Sequence, residues 1–283
     1  MLRPFQPTDE TMYKLVVSDL DGTLLGPDHR LGDYTRTVLA RLRAAGVELI
    51  LASGRHFMDV RALSAQLSSD GCLITCNGAA VNDGQGRVMQ SRCIDQATVD
   101  FLIRDPLFAS VHTNVFLTSA WLVEQAAPEL LRYHQESGFR YEVVDFNSLH
   151  ELDVLKVFFF GEHEQLVQIE AAIVERAGTR LGTTFSLPQT LEVMATGVTK
   201  GAALGMLLEQ RGLSPADVIC FGDGLNDLEM LSLVADGQGK ALLMDNADPR
   251  LHADLPELEV IGSNRDESVA LHLDALLRAG ELG

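Results

Sequence analysis

Leu15-Val16-Val17-Ser18-Asp19-Leu20-Asp21-Gly22-Thr23-Leu24 is the stretch whose reading decides the fold. Leu15-Val16-Val17 is an apolar run with the length of a short buried strand. It runs into two carboxylates, Asp19 and Asp21, set two residues apart. The strand stops there and Gly22 frees the turn, so strand alternation no longer dictates where the two side chains point. In an open α/β sheet, chemistry collects just beyond the carboxyl ends of the strands. Two carboxylates left together at such an end call for a cation, and oxygen ligands favour a hard one such as Mg2+.

Strand and helix patterns alternate outward from this point. Asp33 to Ala45 has helical period and stops at Gly46. Val47 to Ala52 reads as a buried strand, Phe57 to Leu67 as a helix and Cys72 to Thr75 as a third strand. Near the other end, Thr199 to Arg211 is a helix with Gly212 at its C-cap, and Val218 to Phe221 a strand. Leu225 to Leu233 and Glu267 to Leu277 are helices on either side of a strand at Glu259 to Ile261. Such alternation implies a doubly wound parallel sheet, Rossmann-like in class. The middle differs. Asp83-Gly84-Gln85-Gly86 reads as a hairpin turn, followed by a strand at Val154 to Phe160, a helix at Gln165 to Arg176, and strands at Thr183 to Leu187 and Thr190 to Met194. The expected organisation is an extension over 1–12, an α/β core from 13–82 and 190–283, and an inserted α+β cap domain over 83–189.

The 283 residues suffice for such a core, and the formal net charge of −18 argues against nucleic acid or an anionic membrane as partner. A small phosphorylated metabolite remains compatible, because a few local cations and a metal reverse the sign within one cleft. The cysteines, Cys72, Cys76, Cys93 and Cys220, form no CxxC pair and read as reduced, buried thiols of a cytoplasmic protein. No apolar run reaches the ~20 residues of a membrane span. Residues 1–11 lack the apolar core of a signal peptide, and Met12 is an alternative start.

Four elements lie past predicted strands or at a helix start: Asp19 to Thr23, Ser53-Gly54-Arg55, Lys200, and Gly222-Asp223-Gly224-Leu225-Asn226-Asp227. Together they meet the demands of phosphate-ester hydrolysis, which needs a nucleophile, a proton donor for the leaving oxygen and positive charge around the phosphoryl group. Asp19 can attack to give an aspartyl phosphate, and Asp21 can protonate the leaving alkoxide and then deprotonate water. Ser53 and the Gly54 amide can donate to phosphate oxygens. Lys200 supplies a fixed charge, Asp223 a metal ligand and Asp227 a nearby carboxylate.

These motifs, DxDGTL, SGR, the lysine and GDGxND, occur in this order across the whole chain and resemble the haloacid dehalogenase-like hydrolase superfamily. Asn77-Gly78-Ala79 before the insert and Val198-Thr199-Lys200-Gly201 after it are similar to the Cof-type branch. Within that branch the chain resembles the bacterial pyridoxal phosphate phosphatases. The matching stretches are Ser18 to Leu25, Gly54-Arg55-His56, Lys156 to Phe159, Leu191 to Ala195 and Pro256 to Gly262. The resemblance implies a Mg2+-dependent phosphatase with Asp19 as nucleophile and Asp21 as acid and base. It implies a cation on Asp19, the Asp21 main-chain carbonyl and Asp223. It also implies phosphate held by Ser53, Gly54 and Lys200, with Asn226 and Asp227 in support and pyridoxal 5'-phosphate as favoured substrate. In one place the chain departs from the pattern: Asp245 stands where many relatives have glycine, which limits backbone freedom in that loop.

Each residue also has a plainer reading. Arg55 either touches substrate or braces its loop. His56 is expected as a helix-start histidine bonded to backbone, and Phe158-Phe159-Phe160 and Trp121 as packing in the cap. The glycines around Asp223 lack the GxGxxG spacing of a dinucleotide site. Broad-specificity sugar-phosphate hydrolysis is the competing activity. A phosphomutase lacks a motif for returning the phosphoryl group, and a non-catalytic binding protein would have no need of the intact Asp19, Asp21, Lys200 and Asp223.

Overall fold

The computed structural model describes residues 13–67, 71–135 and 137–282, and the expected extension over 1–12 lies outside them. In chain order the first elements are β1 (Leu15–Ser18), α1 (Asp33–Ala44), β2 (Glu48–Ala52), α2 (Phe57–Gln66), β3 (Leu73–Thr75), β4 (Ala80–Asn82) and β5 (Val88–Ser91). The middle contributes α3 (Gln96–Arg104), β6 (His112–Leu117), β7 (Trp121–Val123), β8 (Tyr141–Val143), β9 (Val154–Phe160), α4 (His163–Ala177), β10 (Leu181–Leu187) and β11 (Thr190–Ala195). The last part holds α5 (Lys200–Arg211), β12 (Val218–Gly222), α6 (Leu228–Asp236), β13 (Lys240–Met244), α7 (Pro249–Asp254), β14 (Glu259–Ile261) and α8 (Ser268–Ala279).

One sheet runs in the order β14-β13-β12-β1-β2-β3-β4-β5. Its first six strands are parallel, and the β3-β4-β5 end is antiparallel. Alternation within β1 splits its side chains between two layers. Val16 packs with Val38, Leu42 and Leu273 of α1 and α8, while Leu15 and Val17 pack with Leu204, Leu207 and Met230 of α5 and α6. Each fully buried aliphatic side chain contributes ~1.5–3 kcal/mol, so both helical layers hold β1 at the centre. From β1 the chain winds outward through β2 and β3, and from β12 it winds the other way through β13 and β14. The neighbouring carboxyl ends of β1 and β12 are therefore the switch point of the sheet, where open α/β folds bind ligands.

The second sheet runs β10-β11-β9-β6-β7-β8 and is antiparallel except between β7 and β8. Strand β9 shows how it is used. Val157 and Phe159 pack under α3 and α4 with Leu102 and Ile169, whereas Lys156, Phe158 and Phe160 look toward the first sheet. The expectation that the three phenylalanines pack in the cap holds for Phe159 on one face and for Phe158 on the other, where it is buried with Phe116, Trp121 and Leu155. Phe160 is only partly buried against that second cluster, and both Phe158 and Phe160 also border the cleft.

Sheet membership moves the expected domain boundaries. Val88–Ser91, read as insert, pairs with β4 in the first sheet, and Thr190–Ala195, read as core, pairs with β9 and β10 in the second. The division falls after Ser91 and after Ala195, not at 83 and 189, because a short hairpin and a returning strand carry no mark of which sheet they join. The expected helix from Leu225 begins as a 3-10 turn over Leu225–Asp227, with α6 proper starting at Leu228.

Candidate active site

Asp19 follows β1 directly and its amide donates to Phe221 O at 3.1 Å, which ties the ends of β1 and β12 together. Gly22 then turns at φ +85°, and a Cβ there would lie 2.0 Å from Asp223 Oδ2, so only glycine lets the two loops close on each other. Thr23 Oγ1 donates to Asp223 Oδ1 at 2.6 Å across that contact. Lys200, the first residue of α5, is fully buried. Its ammonium donates to Asp19 Oδ1 at 2.5 Å and to Asp227 Oδ1 at 2.7 Å. The other oxygen of Asp227 accepts from the amides of Asp223 and Gly224, each at 3.0 Å.

Asp19, Asp223 and Asp227 each offer one carboxylate oxygen within 4.8 Å of the others. Both oxygens of Asp227 are already engaged, so it serves better as the brace for Lys200 and the Asp223 loop than as a ligand. Three carboxylates face one ammonium in a buried place. Burial, with repulsion from Asp227 and Asp223, pushes the Asp19 carboxyl well up against the pull of Lys200. Burial and Asp227 likewise push Asp223 up to about 7. Burial alone would lower Lys200, but Asp19 and Asp227 outweigh it and hold the ammonium protonated. An all-oxygen donor set with surplus negative charge fits a hard divalent cation.

Asp21 stands apart from that trio. Arg55 grips its carboxylate with Nε at 2.6 Å and Nη2 at 2.5 Å, and His29 Nδ1 lies 2.8 Å from Oδ1. Burial pushes the Asp21 carboxyl up, but the hydrogen bonds and charges of His29 and Arg55 prevail and hold it well below the usual range. Only the Asp21 main chain remains for a cation, the group the resemblance assigns. Of the two readings of Arg55, its main visible contact is this brace.

The Ser53-Gly54-Arg55 loop is held by its carbonyls. Ser53 O accepts from Asn77 N at 3.0 Å and Arg55 O from Cys76 N at 2.9 Å. The amide of Gly54, which shares a peptide plane with Ser53 O, has no partner among the described residues and borders the cleft. Asn226 Nδ2 donates to Asn77 Oδ1 at 3.0 Å. Asp19, Asp21, Ser53, Gly54, Arg55, Asp223 and Asn226 thus meet at one cleft of about 660 Å3, walled on the far side by Phe116, Trp121, Phe158 and Phe160. Lys200 and Asp227 lie beneath its floor.

Three participants lie in stretches that carry the resemblance but have no function in the site assigned from sequence. Asn77 sits in the left-handed region at φ +56° and links the Ser53 loop to Asn226. Lys156 and Glu192 form a buried ion pair at 2.8 Å on the cap side. A single lysine in Val-Leu-Lys-Val-Phe-Phe-Phe and a single glutamate in Leu-Glu-Val-Met are the signal that could have paired them. His56 accepts from Met58 N and bonds Leu117 O at 2.8 Å, the expected backbone role, and burial lowers it to about 4. Trp121 is buried with Nε1 on Asn114 Oδ1 at 3.0 Å while one side borders the cleft. Asp245 is exposed and does not need a left-handed backbone, so the missing glycine leaves the loop intact. There Asn246 Nδ2 donates to Gly22 O at 2.8 Å. All four cysteines are free, and no helix among the described residues is long and apolar enough to cross a membrane.

A model of the haloacid dehalogenase-like hydrolase family matches residues 16–273. A Haemophilus influenzae protein whose name proposes a phosphatase, with no substrate, is 42% identical over 92% of this chain and 96% of its own length. An HMP-PP phosphatase of Enterobacter sp. is 39% identical over 92% of this chain and 94% of its own. The crystal structure of a haloacid dehalogenase-like hydrolase from Bacteroides thetaiotaomicron superposes with a TM-score of 0.83 at 24% identity, covering 93% of this chain and 99% of that one, and shows the shared fold. The chain belongs to the haloacid dehalogenase-like hydrolases and is a phosphatase of that family.

Proposed function

We propose that the chain hydrolyses small phosphate esters through a phosphorylated Asp19, with Mg2+ as cofactor. The observation that carries this is the state of Asp19. One oxygen is fixed by Lys200, while the other has no partner among the described residues and faces the cleft. A carboxylate held by one oxygen and open at the other is placed for attack on phosphorus. A cation on Asp19, Asp223 and the Asp21 carbonyl would screen the nucleophile from the substrate's charge. Ser53 Oγ, the Gly54 amide and Asn226 line the cleft to hold the phosphate oxygens, and Lys200 adds its positive charge from beneath through Asp19. Asp21 rests ionised on Arg55 and His29, and takes a proton from water in the second half-reaction once that grip loosens. It protonates the leaving oxygen in the first half only when Arg55 loosens its grip.

The aromatic wall over the cleft supports an aromatic leaving group. One relative is named an HMP-PP phosphatase, and the sequence resembles pyridoxal phosphate phosphatases. HMP-PP and pyridoxal 5'-phosphate are therefore the substrates to test first. Ser186, Gln189 and Thr190 on the same rim would suit sugar hydroxyls, and this keeps hexose phosphates as the second reading. Comparing kcat/KM for HMP-PP, pyridoxal phosphate, hexose phosphates and p-nitrophenyl phosphate, with and without Mg2+, decides among them. Activity equal on hexose and heteroaromatic esters would refute the aromatic preference, and no hydrolysis of any ester by folded protein would refute the phosphatase.

A further inference from the structure

Lys156 lies at the middle of β9 in the cap sheet, buried, and its ammonium crosses to the first sheet. It donates to Gly54 O at 2.8 Å and to Glu192 Oε1 at 2.8 Å. Glu192, on β11, accepts in addition from Ser186 Oγ at 3.1 Å and, through Oε2, from Asn77 Nδ2. The pair is neutral as a whole, so it brings no net charge to bind a phosphate. Its contacts reach the phosphate loops by two routes. The Gly54 carbonyl shares a peptide plane with the Arg55 amide, which donates to Ser53 Oγ at 3.1 Å. Pinning that carbonyl on Lys156 keeps its negative end off the phosphate and holds the Ser53 hydroxyl by way of the Arg55 amide. By the second route Glu192 holds Asn77, and Asn77 holds Asn226 at 3.0 Å.

On the reading of the site given above, we propose that Lys156 and Glu192 are positioning residues for the phosphate subsite. The cap completes the phosphate-binding loops of the core as well as facing the leaving group. A carbonyl released from Lys156 is free to turn toward the cleft, and displacement of about 1 Å in such a site costs on the order of 100-fold in rate. The effect falls on the phosphoryl end, which all substrates share.

The test compares wild type with Lys156→Met, Glu192→Gln and the double variant Lys156→Met/Glu192→Leu. Replacement of a buried pair by apolar residues of similar volume is commonly tolerated by folding, so the double variant keeps the test open if a single variant fails to fold. The expected result is a fall of about 10- to 100-fold in kcat/KM. It should be of equal size for p-nitrophenyl phosphate, pyridoxal phosphate and a hexose phosphate, with weaker binding of inorganic phosphate by calorimetry. A lower Tm with unchanged kcat/KM and phosphate affinity would overturn the proposal and leave the pair a mere structural tie. A loss confined to one leaving group would overturn it in favour of direct substrate contact. Phosphate affinity is read without turnover. Wild type that binds phosphate but cleaves no ester would therefore count against the phosphatase alone.

Discussion

Metal-free protein should be stabilised by Mg2+ far more at pH 8 than at pH 5.5. Asp223 moves from an ordinary 3.8 to about 7 in the folded chain, because burial and Asp227 disfavour its charge. A carboxyl raised on folding supports the fold fully below the unfolded value and loses that support as pH rises through the folded value. The rise converts to about 4 kcal/mol, forfeited between pH 4 and pH 8 when no cation is present. At pH 8 an ion at about 100 times its Kd returns ~2.7 kcal/mol. At ~2–4 °C per kcal/mol this is about 5–10 °C in Tm. At pH 5.5 the ion must displace a proton, its apparent affinity drops about 30-fold, and the gain shrinks to about 0.9 kcal/mol. Differential scanning calorimetry on chelator-stripped protein at the two pH values reads the difference directly. A Tm rise of equal size at both, or none at pH 8, would refute the link between the buried carboxylates and the cation. Asp223→Asn should abolish the Mg2+ effect and raise the metal-free Tm at pH 8.

Other changes separate the parts of the site. Lys200→Met leaves Asp19 and Asp227 without their shared ammonium, and should cost about 3–5 kcal/mol in denaturant unfolding along with nearly all turnover. Retained stability would show that the carboxylates are neutral in the folded chain. Arg55→Ala frees the Asp21 carboxyl, so its pKa rises, it keeps the proton for the leaving oxygen to higher pH, and the alkaline limb of the kcat/KM profile moves to higher pH. An unmoved limb would place that limb on another group. Asp19→Asn should keep the fold and remove hydrolysis, and wild-type rates in that variant would dismiss Asp19 as nucleophile.

The catalytic loops were legible because each follows an unbroken apolar run: Leu15 to Val17, Leu49 to Ala52 and Val218 to Phe221. A parallel strand buried on both faces leaves that mark, and the residues just after it are where ligands bind. The cap was less legible. Trp121–Val123 and Tyr141–Val143 are three-residue strands, too short to show a period, and His112–Leu117 opens with polar residues. Strand Lys240–Met244 went unread although four of its five residues are buried. What joined the halves was hidden altogether. The Lys156 to Gly54 bond spans 102 residues and the Asn226 to Asn77 bond 149, and local pattern carries no record of such pairings. Asp21 shows the same limit: its spacing from Asp19 marked a shared site, but only the fold reveals that Arg55 and His29 draw its carboxylate away from the acidic trio.

The central claim is covalent catalysis by Asp19, and the most direct measurement is to trap the phosphoenzyme. Asp21→Asn protein lacks the base for the second half-reaction. Mixed with Mg2+ and an activated ester such as p-nitrophenyl phosphate, then quenched in acid within one turnover, it should gain the mass of a single phosphoryl group. Peptide mapping should place that group on Asp19. Release of p-nitrophenol with no gain of mass, or a phosphoryl group mapped to any other residue, would contradict the account.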